Sequence, residues 1–394
     1  MAPMLFIAFQ LRPSRCVTAG AISVTSTKGR TESGLSCKVR DRRPFGQTER
    51  MSLVSFDLTS FATDVDPADQ STAAASASTA AAIDATLRKT GFLLVSGHGV
   101  ADDVREAYFD AMRSFFALPI EEKDAIAIGN SSCHRGYVGM ATETLDGAMG
   151  MDEDEMGDGA SIGPAGDLKE TLDTGIEHGP AHPEVVAGTP LHGPNQWPDP
   201  TLLPDFRPAV EAYRSAMIEA ARRMQRALAT ALDLDAGFFE DQPGETMFHL
   251  RLIHYPPMET LTPEPGQLGC GAHTDYGTLT LLADDGQGGL QVRERSGEWI
   301  DVLVPTGHLV VNLGDLMAIW TNDRWVSNPH CVVNPPGIDR YSSPLFVTPP
   351  FHLEIAALEN CVPAETTPKH PSMISGPYLL ARFDGTHSYR NELL

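Results

Sequence analysis

The chain has 394 residues, of which 42% are hydrophobic, and a formal net charge of −23 at pH 7. This composition supplies enough apolar residues for a folded core and excludes collagen-like, coiled-coil and fully disordered chains. The negative charge opposes binding to nucleic acid or to an anionic membrane surface, and no run approaches the roughly 18 apolar residues of a membrane helix. We therefore expect a globular protein that binds neither.

Six cysteines are scattered through the chain and form no CxxC motif. This spacing argues against a disulfide scaffold and against a thiolate zinc site, and it favours a reducing compartment. The expectation is a cytoplasmic protein, taken to be a monomer.

The first fifty residues differ from the rest, because they carry nine Lys or Arg residues against three acids. An Arg- and Ser-rich, acid-poor leader is typical of an organelle transit peptide. A start assigned upstream of the true one, with the folded protein beginning near Met51, explains the same composition, and we favour it. Residues 1–50 are expected to be disordered under either interpretation.

Hydrophobic patterns predict an N-terminal subdomain over residues 51–200. In chain order the patterns indicate a short strand at Val54–Leu58, a helix that follows the Ala/Ser-rich stretch 71–82, a buried strand at Gly91–Val95 and a helix ending near Leu118–Pro119. Residues 146–166 contain an acidic run and are predicted to be a solvated surface insertion, since the ligand spacing of a calcium loop is missing.

Residues 201–394 are predicted to hold one long amphipathic helix followed by many short strands. Apolar side chains recur at helical spacing from Phe206 to Leu228. Strands separated by Gly/Pro turns are predicted at 247–255, 276–283, 289–293, 299–303, 308–313, 316–320, 329–334 and 340–347. This density of short strands predicts an α+β protein with a sandwich or jelly roll flanked by helices.

The motif GAHTDYGTLTLL places His273 and Asp275 two residues apart at the head of a predicted strand. Two such residues share a face of the strand, so both side chains can reach one ion. Further along, Asn328-Pro329-His330 opens another strand and offers a second imidazole. Two His and one carboxylate leave three positions of an octahedral metal open, which suits non-haem Fe(II) chemistry.

A possible anion site follows ten residues after His330, at Arg340-Tyr341-Ser342. The guanidinium of Arg340 can bind a carboxylate through two hydrogen bonds, and Ser342 on the same face adds a hydroxyl. Such a pair could hold the far carboxylate of a 2-oxoacid whose other end chelates the iron. Tyr255, in His254-Tyr255-Pro256-Pro257, could donate a further hydroxyl to that carboxylate.

These motifs resemble those of the isopenicillin N synthase-like branch of the Fe(II)/2-oxoglutarate-dependent oxygenases across residues 53–394. Further matching pieces are GFLLVSGHGV (91–100), RGYVG (135–139), LRLIHYPP (250–257), GGLQVR (288–293) and VNLGDLMAIWTND (311–323). The resemblance implies a double-stranded β-helix (jelly roll) core with flanking helices and an N-terminal helical subdomain. It also implies that Fe(II) is bound by His273, Asp275 and His330, and 2-oxoglutarate by Arg340, Ser342 and Tyr255.

By the same resemblance, Fe(II), 2-oxoglutarate and O₂ would hydroxylate or desaturate a small molecule, with release of succinate and CO₂. The chain is also similar to an ethylene/succinate-forming enzyme, in which Glu143 would match a carboxylate that holds an arginine substrate. Arg340-Tyr341-Ser342 and Leu145 depart from that enzyme's pattern. An isopenicillin N synthase-like oxidase without 2-oxoglutarate shares the Arg-x-Ser and Tyr-Pro elements and stays open. A jelly roll that binds a ligand without turnover is the least favoured, since all three metal ligands are present.

Candidate substrate residues follow only from their position, and packing is the commoner role for each. They are Arg135, Tyr137, Glu143, Arg251, Phe346 and Phe351. The C-terminal stretch 376–389 is expected to fold over the mouth of the barrel. Cys331, directly after the second metal His, and Cys270 are interpreted as small core residues, with an oxidation-sensitive thiol as the alternative.

Overall fold

A computed structural model describes residues 50–65, 69–145, 166–264, 267–294 and 296–386. The predicted leader lies outside these ranges apart from Arg50, and so does the predicted surface insertion apart from Gly166. Both remain predictions.

The described residues contain seven α-helices: α1 (Gln70–Thr90), α2 (Asp102–Phe116), α3 (Ile120–Asp124), α4 (Pro183–Ala187), α5 (Phe206–Ala231), α6 (Asp315–Trp320) and α7 (Ser375–Thr386). Helix α1 begins after Asp69, whose side chain accepts a hydrogen bond from the Thr72 backbone N–H at 2.9 Å. It ends at Gly91, whose φ of 66° lies in the left-handed region that favours glycine. The predicted helices before residue 120 and from Phe206 onward are confirmed.

The described strands, in chain order, are β1 (Arg50–Met51), β2 (Ser55–Asp57), β3 (Phe92–Ser96), β4 (Gly136–Val138), β5 (Glu170–Gly175), β6 (Met247–Tyr255), β7 (Cys270–His273), β8 (Leu279–Asp284), β9 (Leu290–Arg293), β10 (Trp299–Val302), β11 (Leu309–Leu313), β12 (His330–Val332), β13 (Arg340–Thr348), β14 (Glu354–Ile355) and β15 (Met373–Ile374). The larger sheet has the order β2–β3–β11–β8–β13–β6–β5–β4, and the smaller has the order β1–β10–β9–β12–β7. Strands β14 and β15 pair separately.

Alternate residues of the strands pack into two different cores. In β3, Leu93 and Val95 belong to a cluster that joins the larger sheet to α1, α2 and α5, whereas Phe92 and Leu94 belong to a second cluster. The second cluster also takes side chains from the smaller sheet, such as Val292, and therefore fills the space between the sheets. The predicted α+β jelly roll with flanking helices is confirmed.

Two local predictions are wrong. Residues 316–320 form most of helix α6 rather than a strand, because a short apolar run does not distinguish a buried strand from a buried helical turn. The strand β7 was missed, and its last residue is His273. Asp275 therefore lies in the segment between β7 and β8, and the two residues do not share one strand.

The N-terminal part of the chain is not only helical, since β2, β3, β4 and β5 all join the larger sheet. Strand β5 pairs with β6 and β3 pairs with β11, so segments before residue 200 form part of the barrel wall. Within the described ranges, no helix combines the length and the apolar character that crossing a membrane requires.

Candidate active site

The three predicted metal ligands come together in the structure. His330 of β12 is the cross-strand partner of His273 of β7. The Nε2 atom of each imidazole lies 3.8 Å from Oδ1 of Asp275, and the three ligand atoms all lie within 4.8 Å of one another. One ion can therefore contact all three side chains, and the two-His, one-carboxylate set fits Fe(II).

Two neutral side chains orient the carboxylate of Asp275. Thr280 Oγ1 and Asn312 Nδ2 both donate hydrogen bonds to its Oδ2, at 2.5 and 2.6 Å. Thr280 and Asn312 are cross-strand partners on β8 and β11, so the register of the larger sheet places both donors together. Because Oδ2 is held in this way, Oδ1 faces the two imidazoles.

The backbone orients both histidines. Nδ1 of His273 lies 2.8 Å from Gly271 O, and Nδ1 of His330 lies 3.3 Å from Asn328 O, so a proton on each Nδ1 leaves Nε2 as a lone-pair donor. Burial, together with the neighbouring His273, lowers the pKa of His330 to about 4, which makes this imidazole neutral at pH 7.

The carboxyl of Asp275 is ionised beside these rings. Burial alone would raise its pKa, but His330 and His273 and the hydrogen bonds from Thr280 and Asn312 hold the pKa below its ordinary value. His330 thus provides a neutral nitrogen donor and Asp275 an anionic oxygen, the protonation states that metal binding requires of these two ligands.

An inner cavity extends from the three ligands to Arg340 and Ser342. The Arg340 side chain is fully buried; its Nε donates to Gly288 O at 2.5 Å and its Nη1 to Ser342 Oγ at 3.1 Å. Its Nη2 makes no hydrogen bond within the described residues, although Oδ2 of Asp284 lies 3.6 Å away. The guanidinium carbon stands 4.9 Å from the centre of the Tyr255 ring. A buried donor without an acceptor fits the carboxylate of a bound 2-oxoacid.

An outer cavity adjoins the inner one and encloses about 910 Å³ of empty space, including its mouth. The residues that line both cavities are Leu145, Arg251, His273, Asp275 and Phe346. Helix α7 contributes Leu379 and Phe383 to the outer cavity. The described part of the predicted C-terminal cover therefore does reach the site.

A buried ionic network lies where the two cavities meet. Arg251 donates through Nε to Asp173 Oδ1 at 2.7 Å and through Nη1 to both oxygens of Glu143, at 2.9 and 3.2 Å. Lys169 Nζ lies 2.9 Å from Glu143 Oε2 and also pairs with Asp167. The charge of the Glu143 carboxylate is thus shared by two cations.

Two predicted substrate residues do not line either cavity, whereas Arg135, Glu143, Arg251 and Phe346 line the outer one. Tyr137 packs edge-on against Phe115 and donates its hydroxyl to Glu170 Oε2 at 2.6 Å. Phe351 packs in a small cluster with Leu191 and Leu379, behind the cavity wall. Both side chains have packing contacts in the structure, and their contact with substrate stays a prediction.

The thiols near the site are buried. Cys331 Sγ lies 3.8 Å from Gln291 Oε1, and its side chain is a small core residue as expected. Burial raises the pKa of the Cys270 thiol to about 12, against the opposing charge of Lys169. A protonated, buried thiol is a poor nucleophile, which disfavours the alternative of an oxidation-sensitive switch at Cys270.

Comparisons with known proteins agree with this geometry. Residues 59–200 match the family described as non-haem dioxygenase in morphine synthesis N-terminal, and residues 247–349 match the 2OG-Fe(II) oxygenase superfamily. The chain is 37% identical over 313 residues to the 2-oxoglutarate-Fe(II) type oxidoreductase hxnY of Emericella nidulans, covering 77% of this chain and 84% of the relative. It is 31% identical to a homoarginine-6-hydroxylase of Arabidopsis thaliana, covering 80% of this chain and 90% of that one.

Among solved structures, the chain is similar to a full-length Neurospora crassa protein in complex with alpha-KG and thymine. The TM-score is 0.68 and the sequence identity 31%, with 84% of this chain and 96% of that chain covered. The comparisons give no support to an ethylene-forming enzyme or to an oxidase that works without 2-oxoglutarate. The chain therefore belongs to the 2-oxoglutarate–Fe(II) oxygenase superfamily and is an enzyme that uses Fe(II), 2-oxoglutarate and O₂ to oxidise a small molecule.

Proposed function

We propose that His273, Asp275 and His330 hold the Fe(II), and that Arg340 and Ser342, assisted by Tyr255, bind the far carboxylate of 2-oxoglutarate. The observation that carries this assignment is the inner cavity itself, which has the three ligands at one end and the buried Nη2 of Arg340 at the other. A carboxylate beside Arg340 would accept the hydrogen bond that Nη2 otherwise lacks.

Bound together, Fe(II) and 2-oxoglutarate would activate O₂ for hydroxylation or desaturation of the substrate, with release of succinate and CO₂. The protein positions these groups. Thr280 and Asn312 fix Asp275, and the contacts of Arg340 with Gly288 and Ser342 hold the guanidinium in one orientation. Apolar side chains of α7 line part of the outer cavity and would limit the entry of water.

The substrate that we propose is a small molecule with a carbonyl or carboxylate group that contacts Arg251. Arg251 lines both cavities, and its hydrogen bonds to Asp173 and Glu143 come from Nε and Nη1. Glu143 and Asp173, the carboxylates beside it, already bind cations. The hydrogen-bond donors of Arg251 where the two cavities meet suit an acceptor-bearing compound, such as the thymine bound by the Neurospora crassa protein, better than a guanidinium compound, such as homoarginine.

The test is a screen that measures succinate formation from 2-oxoglutarate in the presence of candidate substrates. Carbonyl- or carboxylate-bearing ring compounds are expected to stimulate succinate formation and to be oxidised in proportion. Arg251→Gln should raise the KM for such a substrate by about tenfold, the loss of one charged hydrogen bond. Stimulation by guanidinium compounds alone would contradict the proposed substrate class.

We also propose a division into an N-terminal part, 51–200, and a jelly-roll part, 201–394, which the separate family matches at 59–200 and 247–349 support. The isopenicillin N synthase-like branch, the cytoplasmic location and the monomeric state are proposals of the same kind, supported by the sequence motifs and composition.

A further inference from the structure

Three side chains outside the iron site meet at the edge of the outer cavity. Strand β5 ends at Gly175, which pairs with His249 of the antiparallel strand β6. The chain that leaves β5 therefore runs beside the chain that enters β6, which brings His178 next to Glu245. Both residues line the outer cavity.

A tight turn adds a second imidazole. In the segment His178-Gly-Pro-Ala-His182, the His182 backbone N–H donates to Gly179 O at 3.0 Å, and His182 precedes helix α4. The turn places the centres of the two imidazole rings 4.3 Å apart. Their Nε2 atoms lie 3.0 and 3.4 Å from the same atom, Oε2 of Glu245.

We propose that His178, His182 and Glu245 form a second divalent-metal site, separate from the iron ligands, that binds Zn²⁺. Donor atoms bound at about 2.0–2.1 Å to a tetrahedral ion lie about 3.3 Å apart, close to the observed separations of Nε2 from Oε2. Two imidazoles and one carboxylate, with a fourth position left for water or another donor, form a typical zinc ligand set.

Burial and access favour such a site. The His178 side chain is 7% exposed, whereas those of His182 and Glu245 are 31% and 38% exposed, so an ion can enter from solvent. Each ring contacts Glu245 through its Nε2, and the His178 ring also packs on the rings of His182 and His192, so both imidazoles are held in place. Among the residues that the structure describes, this group and the iron ligands are the two that bring three such donor atoms within 4.8 Å.

The experiment measures zinc binding by the full-length chain, purified without a histidine tag and freed of metal. The background is the double variant His273→Ala/Asp275→Ala, which removes the iron site so that Zn²⁺ reports on the second site alone. Isothermal titration calorimetry, with metal content after dialysis, should show one Zn²⁺ per chain. Cobalt(II) in its place should give the intense visible absorption of four-coordinate cobalt.

Two further variants test the ligands in this background. His182→Ala and Glu245→Gln alter partly exposed side chains, so their folding can be checked by circular dichroism. Each should weaken Zn²⁺ binding by more than about tenfold, since substitution of a residue that only hydrogen-bonds to a metal ligand already costs about that much. The matched control is His352→Ala, which alters a nearby, 68% exposed histidine and should leave binding unchanged.

Absence of Zn²⁺ binding by the His273→Ala/Asp275→Ala protein would overturn the proposal. Zn²⁺ binding that neither His182→Ala nor Glu245→Gln weakens would also overturn it. The proposal does not depend on the function of the iron site, because the experiment removes that site.

Discussion

Arg251 and Glu143 form a buried ion pair in which one nitrogen, Nη1 of Arg251, contacts both carboxylate oxygens, at 2.9 and 3.2 Å. Because Arg251 also lines both cavities, this pair links the stability of the barrel to the shape of the substrate site. Lys169 pairs with the same carboxylate. Removal of the Glu143 charge would therefore leave two buried cations, Arg251 and Lys169, each with one ionic partner fewer.

Glu143→Gln should lower the free energy of unfolding by about 3 kcal/mol, since breaking a buried ion pair leaves an uncompensated charge. Urea denaturation followed by circular dichroism measures this loss. The control is Glu219→Gln, which breaks an exposed ion pair with Arg222 and should cost about 0.5 kcal/mol or less. Equal losses in the two variants would contradict the role of Glu143.

The stability of the protein should fall at acid pH partly because of Asp173. Burial alone would raise the pKa of this carboxyl, but Arg251 and His249 hold it well below the ordinary 3.8. The unfolded chain therefore binds a proton first as the pH falls. The stabilisation is complete well above pH 4 and is lost below it, at up to about 1.4 kcal/mol per pH unit.

Asp173→Asn should reduce the loss of stability at acid pH, measured as the change in the free energy of unfolding between pH 5 and 3. Asp167 provides the opposite case, because burial raises its pKa despite the neighbouring Lys169. The folded chain then binds the proton first as the pH falls, so Asp167→Asn should increase the loss of stability between pH 5 and 3. A shift in the same direction for both variants would show that the two carboxyls are not perturbed as described.

Arg340→Lys keeps the charge but loses the planar fork that Gly288 and Ser342 hold in place. The apparent KM for 2-oxoglutarate should rise by roughly 30-fold, which corresponds to about 2 kcal/mol for a charged hydrogen bond. Steady-state succinate formation measures the change, and Ser342→Ala should give a smaller rise. An unchanged KM in Arg340→Lys would exclude this residue as the 2-oxoglutarate anchor.

Phe383→Ala removes a ring from the described end of α7 where it lines the outer cavity. Water should then enter more freely, so more succinate should form per molecule of substrate oxidised. Ile374→Ala, at a 39% exposed position just before the helix, is the control and should keep the original ratio. If Phe383→Ala also keeps that ratio, α7 does not shield the site.

His273, Asp275 and His330 belong to short sequence motifs and lie together in the structure, and Arg340 and Ser342 lie two residues apart on β13. The predicted placement of His273 and Asp275 on one strand is wrong, since β7 ends at His273 and Asp275 lies in the segment before β8. That segment and the donors Thr280 and Asn312, which face each other only through the β8–β11 register, bring its carboxylate to the site.

Residues whose neighbours depend on strand register could not be predicted from sequence spacing. Tyr137 pairs with Leu172 across β4 and β5, and both belong to the core on the helical side of the sheet. His178 and Glu245 are separated by 67 residues and meet because β5 and β6 are paired. A side chain's face and partner follow from the register, which no local pattern of residues specifies.

The central claim is that Fe(II), held by His273, Asp275 and His330, shares one cavity with 2-oxoglutarate anchored by Arg340. An anaerobic titration of the metal-free protein with Fe(II) and then 2-oxoglutarate, followed by visible absorbance, tests it most directly. A weak charge-transfer band should appear only when both are present, and His273→Ala should not show it. Absence of the band in the unsubstituted protein, with or without retained Fe(II) binding, would contradict the assignment.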